Sequence, residues 1–198
     1  MAVAFTPEDR ARISARILDT AEGLFAAQGL KKTSLDELVA PAGIAKGSFY
    51  AFFESKEELY KEVMIRRAPI MGKRLAAALD RPPSAEALAA LMREMIEVLT
   101  TDPFYRRLLT RPDELEAVAR RVGAEEVARV TPHLMTPLLD YLARGQADGV
   151  IVADVPPEVL VGVLRTAGLL VVHRDRYGPD HDQVVEATVN ALARGLIA

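Results

Sequence analysis

The sequence predicts an all-α protein. Apolar residues recur at three- and four-residue spacing through most of the 198 residues, and no stretch reads convincingly as a strand. Helix-start signals built from Ser or Thr with Pro or Glu stand ahead of these periodic runs. Gly- and Pro-rich breaks separate them.

Thr6-Pro7-Glu8-Asp9 opens the first helix: a cap, the favoured first residue and two acids that complement the dipole. Ile13, Ile17, Ala21, Leu24, Phe25 and Gln28 fall at helical spacing, and Gly29 ends the run. Leu30-Lys31-Lys32-Thr33 connects to a capping pair, Ser34 with Glu37. Leu35, Leu38 and Val39 share one face of the second helix. Pro41-Ala42-Gly43 stops it, because Pro cannot continue a helix and Gly43 can take the positive φ of a tight reversal. Ile44 plugs the turn. Another helix opens at about Ala45 or Lys46, with Phe49 and then Phe52 or Phe53 inward, and Lys46, Gly47, Ser48, Tyr50 and Ala51 outward. Ser55 with Glu58 caps the next. Two short helices around a glycine turn are a helix-turn-helix, the unit that lays its second helix in the major groove of DNA.

The Ser55 helix runs through Leu59, Val63 and Met64, and Pro69 is expected to kink or end it. Arg81-Pro82-Pro83-Ser84 breaks the chain and starts a helix with Leu88, Leu91, Met92, Met95, Ile96 and Leu99 inward. Shorter helices follow over Phe104 to Thr110 and from Arg111-Pro112-Asp113 to Gly123. Residues 124–148 read as a long helix interrupted by Pro132 and Pro137. After a loop over 151–157, residues 158–177 form a helix apolar nearly all round. Gly178-Pro179-Asp180 precedes the last helix, 183–197. The chain therefore divides into residues 1–54, a DNA-binding helix-turn-helix domain, and residues 55–198, a helical domain.

A net charge of −3 argues against non-specific coating of nucleic acid, but a local basic patch suffices for a reader. With no cysteine, neither a disulfide framework nor a thiolate zinc site is possible, which suits a reducing cytoplasm. The N-terminus has no signal-peptide pattern, and no apolar run reaches membrane-spanning length. H-E-x-x-H and G-x-S-x-G are absent. The glycines at 43 and 47 do not make a P-loop, because no lysine follows the second and no strand precedes the first. His133, His173 and His181 form no ligand pair at i, i+4. No enzyme activity, cofactor or metal is expected.

The run Gly43-Ile44, Lys46-Gly47-Ser48-Phe49-Tyr50, Phe53 and Ser55-Lys56-Glu57-Glu58-Leu59 resembles the DNA-binding signature of the tetracycline-repressor (TetR) family. The likeness extends upstream through Ile17-Leu18, Ala21, Leu24-Phe25, Gly29 and Thr33-Ser34. Two departures stand out: Pro41, where the family usually continues its helix, and Ala45, where a capping Ser is common. The resemblance implies a ligand-responsive regulator, a repressor by expectation, that acts as a homodimer on double-stranded DNA with a palindromic operator. It implies DNA contacts by Lys46, Gly47, Ser48 and Tyr50, with Lys56 on a phosphate; Thr33 and Ser34 are placed to cap a helix and reach a phosphate. The remaining two thirds would hold an unknown small-molecule effector among Met92, Met95, Phe104, Tyr105, Leu108, Met135, Leu138 and Tyr141. Arg165 is either ion-paired, with Asp140 or Glu94 as partner, or a contact to an anionic ligand. His173 is a further pocket candidate. Gly162, Thr166 and Ala167, with the stripe Val185, Val189, Leu192 and Leu196, suit dimerisation through the last two helices, unless those helices cap their own core. Two other readings stay open: a helical small-molecule binding protein that does not bind an operator, and an activator of the same fold.

Overall fold

The computed structural model describes residues 5–172 and 174–198. Helix α1 (Pro7–Ala27) starts as its sequence requires: the Thr6 hydroxyl accepts from the Asp9 amide at 3.1 Å, and Pro7 takes the first position. Its stripe Ile13, Ile17, Ala21 and Phe25 is buried. Gly29, at φ 83°, opens the single turn α2 (Gly29–Lys32). Ser34 and Glu37 complete a capping box ahead of α3 (Leu35–Val39). The α-helical bonding stops there, and the chain continues as a 3-10 turn over Ala40–Ala42 that contains Pro41. Gly43, at φ 70°, reverses the direction.

The second helix of the pair is also a 3-10 helix, Lys46–Ala51. Ala45 offers no side-chain cap, and the turn closes on short-range bonds, Ser48 N–H to Ala45 O and Phe52 N–H to Phe49 O, each 2.9 Å. Ser55 then caps α4 (Lys56–Leu79), its hydroxyl accepting from the Glu58 amide at 3.1 Å. The following helices are α5 (Ala85–Thr101), α6 (Pro103–Thr110), α7 (Pro112–Ala119), α8 (Ala124–Ala147), α9 (Pro157–Val172), α10 (Arg174–Tyr177) and α11 (His181–Gly195).

Two packing units emerge. One comprises the chain up to Arg67 together with Pro103–Glu126; the other comprises Ala68–Asp102 and Val127–Ala198. The N-terminal 54 residues fall wholly within the first, and α4 and α8 each contribute to both. The first unit's core joins the α1 stripe to Leu38, Phe49, Tyr60 and Val63, with Phe104, Leu108 and Val118 from α6 and α7. Tyr60 is sandwiched between Phe25 and Phe104, with ring centroids 4.8 and 5.1 Å away. In the second unit α5 packs against both α9 and α11, which also touch each other. An isolated antiparallel bridge, Ile151 with Ile197, ties the loop before α9 to the end of the chain.

Three expectations change. Pro69 does not end α4, and Pro132 and Pro137 do not interrupt α8. Each proline only removes one backbone donor, and tertiary packing holds the helix across the gap. Pro137 cannot bond the carbonyl of His133. That carbonyl lies against Gly72, where a Cβ would overlap it. The apolar stripe of α11 faces its own unit: Val185, Val189 and Leu196 are buried in the core with α5 and α9. Among the described residues no helix is long and apolar enough to cross a membrane.

Candidate nucleic-acid interface

The turn Lys46–Ala51 owes its position to one side chain. Phe49 is fully buried and packs 5.9 Å from Phe53, which pins the turn to the core. Its neighbours therefore point outward. Tyr50 is 62% exposed and stands edge-on to Phe49, Gly47 has open space where a Cβ would sit, and Ser48 is half-buried. Lys46 is exposed, and its Nζ donates to Asp36 Oδ2 of α3 at 2.9 Å, a bond that raises the lysine above its ordinary pKa.

The far end of the turn is clamped by α1. Arg10 Nη2 donates to the carbonyl of Ala51 at 2.5 Å, and its guanidinium lies 5.2 Å over the Phe52 ring. Phe5 packs on the same ring at 5.2 Å. The arginine thus supplies a cation to the carbonyl end of a short helix, where the dipole favours it. Neither Arg10 nor Asp36 stood out in the sequence.

The other candidates divide. Ser34 accepts from the Glu37 amide at 3.2 Å and donates to its carboxylate at 2.8 Å. Glu37 is held below the usual carboxylate range by the Ser34 amide first, then by Gln28 and the Ser34 hydroxyl. Thr33 is buried, its hydroxyl donating to Gly29 O at 2.7 Å. Lys56 reaches inward: Nζ donates to Leu30 O at 2.9 Å and Thr33 O at 2.7 Å. In this arrangement Thr33 and Lys56 brace the connector before α3. Lys46, Gly47, Ser48 and Tyr50 share the exposed turn.

Charged groups secure the rest of the first unit. Arg107 holds the buried Glu114 through two bonds of 3.0 and 2.8 Å, and its guanidinium covers Gly29. Lys61, also buried, bonds Glu58 at 2.9 Å and Glu126 at 2.7 Å. Its partner Glu126 is driven down to about 2 by that lysine first and by the Gly123 amide second. Arg67 pairs with Glu22 and lies over the rings of Phe104 and Tyr105.

The residues expected around an effector fall into two cores. Phe104, Tyr105 and Leu108 belong to the first unit. Met92, Leu138 and Tyr141 are buried in the second, with Met95 and Met135 packed at its margin. The Tyr141 hydroxyl is buried and without a partner among the described residues, and burial raises its pKa. Arg165 is exposed on α9, and Glu94, one partner considered for it, is bonded to Arg74 at 2.8 Å instead. His173 lies outside the described residues.

A family model, "Bacterial regulatory proteins, tetR family", matches residues 17–63, which contain the capping box, the glycine reversal and the exposed turn. The HTH-type transcriptional repressor KstR2 of Rhodococcus jostii is 26% identical over 166 residues, covering 82% of this chain and 79% of the relative. The HTH-type transcriptional regulator AcrR of Shigella flexneri is 36% identical over 58 residues, 29% of this chain and 27% of AcrR. The structure is also similar to that of RolR in complex with resorcinol, at a TM-score of 0.66 and 21% identity, over 96% of this chain and 90% of RolR. That last likeness shares the fold. Residues 17–63 thus match the DNA-binding domain of the TetR family, and over most of its length the chain is similar to HTH-type transcriptional regulators.

Proposed function

We propose that this chain is a ligand-responsive repressor that binds a palindromic operator as a homodimer in the cytoplasm and leaves it when a small molecule binds. The observation that carries the DNA-reading part is the Phe49–Tyr50 alternation: one ring is buried, the next stands in solvent, and Lys46, Gly47 and Ser48 share the open side. Lys46 and Ser48 address base edges, Gly47 lets the backbone approach, and Tyr50 and Ser34 meet the phosphate backbone.

Dimerisation runs through α9 and α11. Support comes from the faces left over once their own core is made. On α9, Val159 and Leu169 are 53% and 58% exposed, with Gly162 and Thr166 between them. On α11, Ala187 and Ala191 are exposed, so a partner helix can approach closely. Two-fold symmetry then sets two reading turns on successive half-sites.

The effector contacts Met95, Met135 and Tyr141 in the second unit. The unsatisfied Tyr141 hydroxyl supports this, because it offers a bond that the protein leaves unmade. RolR, a protein of the same fold, is seen with resorcinol. Binding biases α4, whose first half belongs to one unit and second half to the other, and so shifts the population away from the operator-binding arrangement.

A gel shift with DNA from upstream of the chain's own gene tests the reading. The wild type should retard this fragment, and Lys46→Ala with Tyr50→Ala should not. A wild type that ignores every duplex would leave a helical small-molecule binder instead. An effector that binds tightly yet leaves operator affinity unchanged would refute the coupling.

A further inference from the structure

Lys46 is the only charged side chain in the turn Lys46–Ala51, and it already has a partner of opposite charge from the other helix of the pair. Both side chains are more than half exposed, Lys46 at 58% and Asp36 at 67%. An ion pair open to solvent contributes little to stability, so it rearranges easily. Its presence on a surface proposed to meet a polyanion calls for another explanation. An aspartate there repels phosphate, and repels it more once Lys46 has turned to DNA.

The spacing supplies that explanation. Nζ, a donor, and Oδ2, an acceptor, stand 2.9 Å apart. The major-groove edge of a G·C pair offers the complementary set: guanine N7 and O6 accept, cytosine N4 donates, and O6 and N4 sit about one hydrogen bond apart, ~2.9 Å. We propose that Lys46 and Asp36 read one G·C pair as a couple, Lys46 donating to guanine N7 and O6 while Asp36 accepts from the cytosine amino group. An A·T pair fits worse. Its amino group lies between two acceptors, adenine N7 and thymine O4, so a carboxylate aimed at it meets lone pairs on both sides. At G·C the amino group has an acceptor on one side only, and there Lys46 sits. Asp36 is therefore a specificity-determining residue: it rejects backbone and A·T, and its repulsion is relieved at the right pair. This rests on the reading of the chain as a sequence-specific DNA binder.

The test is selection of duplexes from a pool randomised over about two helical turns, with full-length wild type, Asp36→Ala, Asp36→Asn and Asp36→Ala with Lys46→Ala. Wild type should enrich a motif with a fixed G·C pair in each half-site, preferred over A·T by roughly five- to hundredfold. Asp36→Ala should keep the rest of the motif, lose most of the preference at that pair and bind mixed-sequence duplex more tightly. A merely structural defect would not produce that gain. Adding Lys46→Ala should remove what preference for guanine remains at the pair. Asp36→Asn should turn the preference toward A·T, since a carboxamide both donates to adenine N7 and accepts from N6. An Asp36→Ala motif identical to that of wild type, or no gain on mixed-sequence duplex, overturns the couple alone. A wild type that enriches nothing overturns the DNA-binding reading, and the couple with it.

Discussion

Gly29 and Gly43 both have positive φ, 83° and 70°, yet alanine should cost very different amounts at the two positions. At Gly43 a Cβ meets nothing within 4 Å. The cost there is the left-handed backbone of an L-residue, about 1–2 kcal/mol, less up to about 1 kcal/mol because alanine restricts the unfolded chain. A net loss of about 1 kcal/mol follows. At Gly29 the same Cβ would overlap the Arg107 guanidinium. Arg107 must swing away, and it is bonded through Nε and Nη2 to Glu114, which is 3% exposed. The arginine side chain is itself 19% exposed, so it has room to turn outward while keeping one of the two bonds. Losing one charge-assisted bond adds about 1.5–3 kcal/mol.

Gly29→Ala should therefore cost about 3 kcal/mol against about 1 for Gly43→Ala. Urea denaturation followed by far-UV circular dichroism measures both. In a background carrying Arg107→Met and Glu114→Gln, which removes the pair without stranding a charge, Gly29→Ala should fall to about 1 kcal/mol. Equal losses at the two glycines, or an undiminished loss at Gly29 in that background, would refute the argument that Arg107 occupies this space.

Three further outcomes follow from the first unit. Glu126 has its folded pKa lowered from an ordinary 4.5 to about 2, so its contribution is complete above about 4.5 and disappears as pH falls toward 2. Melting temperatures across that window should decline less steeply for Glu126→Gln than for wild type; an equal slope would assign the acid limb to other carboxylates. Tyr60→Phe removes a hydroxyl that has no partner among the described residues, so stability should rise or stay within about 0.5 kcal/mol. A loss above about 1 kcal/mol, by the same denaturation assay, would expose a partner for that oxygen. Arg10→Ala frees the carbonyl end of the reading turn and should weaken specific DNA binding about tenfold. The slope of log K against log salt should not change; a decrease of about 1 would make Arg10 a phosphate contact instead.

What the sequence disclosed, and what it withheld, follows from the range of the interactions. The Thr6 cap, the Ser34–Glu37 box and the Gly43 reversal act within three or four residues, so residue order alone places them. Phe49 inward and Tyr50 outward follow from helical spacing around one aromatic anchor. The prolines were harder, because a missing donor breaks a helix only where nothing else holds it. At His133 the freed carbonyl lies beside Gly72, sixty-one positions away. The stripe on α11 was legible as apolar but carried no sign of its partner, which is α5. Lys56 and Thr33 read as phosphate contacts because their acceptors are backbone carbonyls, which leave no mark in the residue types. The proposed effector set split because α6 joins the core of the first unit while α5 stays in the second.

Residues 1–67 carry ten basic and ten acidic side chains, so the DNA-reading part of the molecule has no excess positive charge. Most of the cations are also engaged within the protein. Arg12 pairs with Asp9, Lys31 with Asp113, Arg66 with Asp19 and Glu22, and Lys61 with two glutamates. Arg10 and Lys56 are turned to backbone carbonyls. Few counter-ions should then be released on binding, and the affinity for arbitrary DNA, which depends on that release, should be low. On the proposed reading, occupancy comes from base contacts made by Lys46 and Ser48, and from the doubling of those contacts in the proposed two-fold assembly. In the proposed mechanism a small shift in the spacing of two reading turns should then suffice for release, because no strong phosphate grip holds a mismatched pair in place.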